Sequence, residues 1–155
     1  MSNNSRIRGV PAMAGALTLA AALSMAAVAL ATAPKKGWTY ATAPTAKVAV
    51  SFKVSSTGKR VTNLAPGTAI KCKGSAGGFP AAKAGSGKIT KGTFKVVLKL
   101  YPPGPHPKSS GTDTVTGTFV KGGKATGTVH TYLNGQNSKS FCRGVRRSYT
   151  AIGKA

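Results

Sequence analysis

Hydrophobic and polar residues alternate along several short stretches of this chain, and the alternation is clearest from residue 47 to residue 54. Val48, Val50, Phe52 and Val54 share one face, while lysine and small residues occupy the other. A period of two predicts a half-buried β-strand. Further strands are predicted at 60–64, 68–73, 88–101, 112–120, 124–133 and 141–152, and no stretch after residue 31 has helical spacing.

Turn signals separate these predicted strands. Pro66 and Gly67 mark one corner, and the pair Gly122-Gly123 predicts a hairpin between residues 112–120 and 124–133. Residues 74–87 and 101–111 are rich in glycine, small residues or proline and are predicted as loops. Seven to nine short strands predict an all-β fold, as a single antiparallel β-sandwich or a partly closed barrel with the strand order left open.

The first 31 residues have the pattern of a secretory signal peptide, for which we expect a helix. Arg6 and Arg8 give a basic start, an apolar run covers residues 10–30, and small residues follow. Cleavage at Ala31 is favoured over the neighbouring small residues Ala29 and Ala33. The alternative is a retained membrane anchor, because the run is nearly long enough to span a bilayer. We therefore expect a protein that is secreted or associated with the cell envelope, and membrane-bound only if cleavage fails.

Two further units follow the predicted signal peptide. Residues 32–46 are small, polar and interrupted by proline, which predicts a flexible arm. Trp38 and Tyr40 within it could dock on the domain or begin a short edge strand. Residues 47–155 are predicted to form the β domain.

The chain has two cysteines, Cys72 and Cys142, each in a predicted strand. In a protein that leaves the cytoplasm, two cysteines are more often bonded than free, so a disulfide between them is favoured. The alternative is two buried free thiols.

Several short motifs are spaced along residues 45–151. They are Val50-Ser-Phe52-Lys-Val54, Gly58-Lys-Arg-Val61-Thr-Asn63-Leu64, Cys72, Gly92-Thr-Phe94, Val115-Thr-Gly117-Thr-Phe119, Ala125-Thr-Gly127-Thr128, Cys142-Arg-Gly144 and Tyr149-Thr-Ala151. In this order they resemble a group of small secreted bacterial β-sandwich domains for which no activity is established, although the group more often has Trp where Tyr149 stands. The resemblance implies a sandwich fold, secretion and a Cys–Cys bridge, and it implies no activity.

Charge is the strongest compositional signal. The chain has 23 Lys and Arg residues against one acidic residue, which gives a formal net charge of +22. Such a chain attracts polyanions, among them anionic surfaces and extracellular polymers. The densest cluster, Arg143, Arg146 and Arg147, supplies the candidate contacts, since guanidinium groups suit phosphate and carboxylate oxygens. Few aromatic residues are interleaved with these charges, and no specific nucleic-acid motif is present.

The same composition disfavours catalysis and metal binding. Carboxylate mechanisms use two acids, and this chain has only Asp113. A serine triad would need His106 or His130 with Asp113, and no nucleophile-elbow motif is present. The few possible metal ligands lack ligand spacing. We therefore expect a monomeric, non-enzymatic protein without metal or cofactor. The alternative function is a module that binds a protein or glycan through the loops at 74–87 and 101–111, and a hydrolytic enzyme is the least favoured.

Overall fold

The computed structural model describes residues 30–73, 81–101, 109–137 and 139–155. Within these ranges the chain forms strands and no helix, which confirms the all-β prediction. The predicted signal helix lies outside the described residues. The strands are β1 (Thr39–Thr42), β2 (Val50–Val54), β3 (Arg60–Pro66), β4 (Ile70–Cys72), β5 (Ala81–Ala82), β6 (Gly85–Thr90), β7 (Thr93–Tyr101), β8 (Gly111–Val120), β9 (Lys124–Leu133), β10 (Cys142–Gly144) and β11 (Arg146–Lys154).

Eight of the strands close into an antiparallel barrel in the order β1-β2-β3-β6-β7-β8-β9-β11. Three pairings complete the circle. β7 pairs with β8 from Thr93↔Thr118 to Leu100↔Gly111, and β1 bridges β2 and β11. The architecture is therefore a closed barrel rather than a sandwich, because the sheet meets itself and does not split into two layers. Closure also pairs both edges of every barrel strand.

Inward-pointing residues of all eight strands fill the barrel. An aromatic cluster occupies its middle, where the Tyr40 and Phe52 rings stack with centroids 5.1 Å apart and Phe119 meets both edge-on. Gly117 makes room for a fourth ring, since a Cβ there would lie 2.3 Å from the ring of Phe94. A glycine inside a strand often marks such a close approach.

The stretch 32–46, predicted as a flexible arm, instead contributes a strand to the barrel wall. β1 pairs on both sides, and Tyr40 is 1% exposed. Before β1, the backbone amide of Thr32 donates to the Phe119 carbonyl over 2.7 Å, and that of Gly37 donates to the Val54 carbonyl over 3.1 Å. Burial of the Tyr40 side chain supplies the stabilisation that the local sequence, with its prolines and small residues, does not indicate.

The predicted loop at 74–87 is also partly a strand. Ala81 and Ala82 pair with the end of β7, and β6 begins at Gly85. A Cβ on Gly85 would lie 2.2 Å from Leu98 Cδ2, so the β7 side chain fills the space that an inward side chain of β6 would take. The glycines therefore belong to a tightly packed strand pair. Residues 74–80 and 102–108, the central parts of both predicted loops, lie outside the described residues.

A two-stranded ribbon, β4 paired with β10, lies at one end of the barrel. The predicted disulfide is confirmed: Cys72 Sγ and Cys142 Sγ are 2.10 Å apart, and the two residues are direct ladder partners. Next to the ribbon, the Ala69 amide donates to Thr131 Oγ1 over 2.9 Å, and the Val145 amide donates to the Ala69 carbonyl over 2.8 Å. The first bond fastens the ribbon end onto β9, and the second joins the chain before β4 to the chain after β10.

The predicted hairpin forms as β8 and β9, with Val120 opposite Lys124 and positive φ at Gly122 and Gly123. This turn lies at the opposite end of the barrel, together with the β2–β3 turn.

Candidate functional site

The outward face of the ribbon carries three cations and one phenyl ring. Lys71 on β4 lies directly opposite Arg143 on β10. One step further, the Lys73 amide donates to the Phe141 carbonyl over 2.9 Å, so these two residues extend the pairing beyond the strand ends. Because side chains two residues apart in a strand share a face, Lys71 and Lys73 point the same way, as do Phe141 and Arg143. We call these four residues the ribbon cluster.

All four side chains of the ribbon cluster are exposed, and they line one surface pocket. Its volume is about 270 Å³, and Cys72 and Ser140 complete the lining. The Phe141 side chain is 53% exposed at the rim of this pocket. The pocket thus offers a flat apolar surface beside positive charge, at a size suited to one repeat unit of a polymer.

The backbone that carries the cluster is held from several sides. The disulfide joins its two strands. The Gly144 amide donates to Gln136 Oε1 over 2.8 Å, and a tight turn before Phe141 is closed by the Asn137 amide donating to Ser140 Oγ over 2.9 Å. Lys73 Nζ also lies 3.5 Å from the Lys139 carbonyl oxygen. The backbone of the site is therefore held before binding, and the entropy cost of binding is confined to the side chains.

Without a bound ligand, the positive charges of the ribbon cluster repel one another. Like charges placed directly opposite each other across a ladder are destabilising, and Lys71 faces Arg143 in this way. The only acidic side chain of the protein, Asp113, is 0% exposed inside the barrel. No side-chain carboxylate is therefore available on the surface to neutralise the pair, and an anionic ligand would relieve the repulsion.

The structure disperses the three arginines that the sequence places together. Arg143 belongs to the ribbon cluster. Arg146 is exposed on the outer wall, opposite His130. Arg147 is half-buried and, with Lys47, lines a second surface hollow of about 320 Å³ beside residues 68–70. The three arginines therefore lie on three different surfaces.

Sequence analysis missed Lys71, Lys73 and Phe141 as site residues. The lysines are about 70 positions away from Arg143 in sequence, and the disulfide brings them together. A usable signal was present, because Lys71 and Lys73 flank Cys72, while Phe141 and Arg143 flank Cys142. If two cysteines are bonded in paired strands, the neighbours on either side of each cysteine must share one face.

Asp113 lies in the barrel interior, where Thr131 Oγ1 donates a hydrogen bond to its Oδ1. Within the described ranges no group forms a hydrogen bond with its other oxygen, Oδ2. Burial raises the pKa of the Asp113 carboxyl, and the Thr131 hydrogen bond opposes this only in part. Asp113 and Thr131 are ladder partners that face inward, whereas His130 is exposed on the outer wall. The barrel wall thus separates the two groups that a His130–Asp113 triad would need, and His106 lies outside the described residues.

Two further observations concern ligands and membranes. No cluster of three or more metal-ligating side chains occurs in the part of the chain that the structure describes. In the same part, no helix is long and apolar enough to cross a bilayer.

Comparison of the chain with protein-family models, with curated proteins and with solved structures finds no match. The ribbon cluster must therefore be interpreted from its own chemistry.

Proposed function

We propose that this chain is a secreted, monomeric, non-catalytic protein that binds anionic polymers or surfaces, with the ribbon cluster as its principal contact. One observation carries the proposal. Lys71, Lys73 and Arg143 converge around a single pocket on a surface that has no acidic side chain to pair with them. Arg143 provides a planar fork for phosphate, sulfate or carboxylate oxygens, and the two lysines add point charges.

Export is supported by the signal-like residues 1–31 and by the Cys72–Cys142 bond, because disulfides persist mainly in oxidising compartments. Outside the cell, after Arg6 and Arg8 are removed with the signal peptide, the net charge is 22 − 2 = +20, and it attracts polyanions over distances of about a Debye length, roughly 10 Å at moderate salt. The side chains of the ribbon cluster would then bind the attracted polyanion at a defined place on the surface.

The test is a titration of fluorescein-labelled dextran sulfate with the oxidised protein at several salt concentrations. Binding is expected to weaken at least tenfold between about 50 and 200 mM salt, as the release of counterions requires. The ribbon triple variant, Lys71→Gln, Lys73→Gln and Arg143→Gln, should bind more weakly and with a shallower salt dependence.

A matched control removes the same charge from the opposite end of the barrel, through Lys53→Gln, Lys59→Gln and Lys121→Gln, all at exposed positions. The control should lose much less affinity than the ribbon triple variant. Equal losses would show that net charge alone acts, and binding indifferent to salt would contradict the proposal altogether.

A further inference from the structure

We infer that the ribbon cluster is a site for single-stranded nucleic acid, in which one base stacks on Phe141 while neighbouring phosphates contact Lys71, Lys73 and Arg143. This inference rests on the proposed function and narrows it to a polyanion whose repeat unit carries a flat ring. The observation behind this inference is the exposure of the Phe141 ring. Phe141 is 53% exposed, whereas the phenylalanines Phe52, Phe94 and Phe119 are at most 5% exposed.

Charge alone does not explain this phenyl group. A polyanion without rings gains nothing from a phenylalanine in its contact surface, and exposure of the ring to water is unfavourable. Burial in the core is not available to it, because the Phe141 carbonyl accepts the Lys73 amide and the adjoining Cys142 is bonded to Cys72. The ring is thus displayed from a backbone fixed on both sides.

The arrangement of the four side chains matches the two components of single-strand recognition. Such sites combine cations that follow the phosphates with aromatic faces on which bases stack. In the ribbon cluster, Lys73 lies opposite Phe141, and Lys71 lies opposite Arg143. The ring therefore has a cation across the ladder and another two residues along its own strand. Few aromatic residues are interleaved with the charges along the sequence. The fold nevertheless places Phe141 among three cations.

Two neighbouring classes of ligand fit less well. A double helix keeps its base faces stacked inside, so it offers nothing to the Phe141 ring. A membrane surface would need a continuous apolar face, but Lys71, Lys73, Ser140 and Arg143 line the pocket beside Phe141. Of the other large exposed apolar side chains, Val97 is on the outer wall and Ile152 is near the opposite end of the barrel. Tyr132, on β9 at the ribbon end, is 49% exposed and carries a polar hydroxyl group.

The experiment compares two fluorescein-labelled strands of equal length and backbone charge, an oligothymidylate of about 20 nucleotides and an abasic strand with tetrahydrofuran units. The oxidised protein should bind the thymidylate about tenfold more tightly, within the range that stacking of one base supports. Phe141→Ala and Phe141→Leu should each reduce the preference to near unity, because they weaken thymidylate binding much more than abasic binding. Phe141→Trp should keep the preference.

The leucine variant is the decisive control, because it keeps an apolar side chain and removes the ring. The ribbon triple variant should weaken binding of both strands. Equal affinity of the unaltered protein for the two strands, or a full preference in Phe141→Leu, would overturn the inference. So would tighter, Phe141-dependent binding to vesicles containing anionic phosphatidylglycerol, which would assign the surface to lipid.

The outcomes separate this inference from the proposed function. If both strands and dextran sulfate bind equally well and with a steep salt dependence, the nucleic-acid site is rejected and the polyanion function stands. If none of the three polymers binds in a salt-dependent way, the proposed function itself fails.

Discussion

Replacing Cys72 and Cys142 together by alanine is expected to lower the free energy of unfolding by about 4 kcal/mol. The disulfide closes a loop with a sequence separation of 70. For a loop of this length, the chain-entropy relation gives about 4.4 kcal/mol at 25 °C, all of it through restriction of the unfolded chain. The folded state should lose little else, because the β4–β10 ladder and the bonds of Ala69 to Thr131 and Val145 remain.

The measurement is urea unfolding followed by far-ultraviolet circular dichroism and by the fluorescence of Trp38, which packs against the core. The variant should unfold at lower urea, and its m-value should rise, because the unfolded chain without the link exposes more surface. Reduction of the unaltered protein should reproduce the variant, while the variant should not respond to reductant.

The reasoning would be refuted by a loss below about 1 kcal/mol with an unchanged m-value. That result would mean that the unfolded chain is already compact enough for the link to cost it little entropy. A loss far above 5 kcal/mol would also contradict the argument, because it would show that the disulfide maintains the ribbon and the barrel end in the folded state, beyond its effect on the unfolded chain.

Three further substitutions test the interior. Asp113→Asn should remove the loss of stability that the unaltered protein shows as pH rises above about 3.8. In the unaltered protein burial raises the carboxyl pKa above 3.8, so stability should be greatest below that value and fall as pH rises through the folded pKa; a stability that increases with pH over this range would contradict the assignment. Tyr40→Ala should cost about 3–5 kcal/mol in urea unfolding if β1 belongs to the cooperative barrel, and almost nothing if the arm is independent. Gly117→Ala should cost about 1–3 kcal/mol because the new methyl meets the Phe94 ring, and the added change Phe94→Leu should recover part of that loss, whereas independent effects would simply add.

The parts of the fold that sequence predicts are those in which a local pattern and the final environment agree. The alternation around Val50, Phe52 and Val54 places all three inside the barrel, where they are at most 1% exposed. The β8–β9 hairpin follows from its two-glycine turn. In both cases the signal lies within a few residues of the structure that it predicts.

Barrel closure has no such local signal. It depends on the pairing of β1 with β11, which joins residues more than 100 positions apart. The four residues of β1 are too few to show a period, and only Tyr40 among them is buried. β6 lacks inward apolar residues at its first two inward positions because side chains of β7 fill the space above Gly85 and Gly87. A pattern of hydrophobic residues cannot reveal a strand whose inward space is filled by side chains of the neighbouring strand.

The candidate site was only partly predictable for a related reason. Sequence clustering selected Arg143, Arg146 and Arg147, but the strand pleat and the break between β10 and β11 turn them to different surfaces. The partners that Arg143 has in space are set by the disulfide. Proximity in sequence therefore identified one of the four ribbon-cluster residues.

The enclosure of Asp113 has a consequence for how the folded protein behaves as a colloid. With its only acidic side chain sealed in the barrel, the surface holds lysine and arginine groups and no side-chain carboxylate. The sequence pI of about 10.9 places the isoelectric point beyond the range of ordinary buffers. The molecule is thus a folded polycation that keeps the sign of its charge throughout that range. Its electrophoretic mobility, and the mass ratio at which it neutralises a strong polyanion, should depend on ionic strength more than on pH.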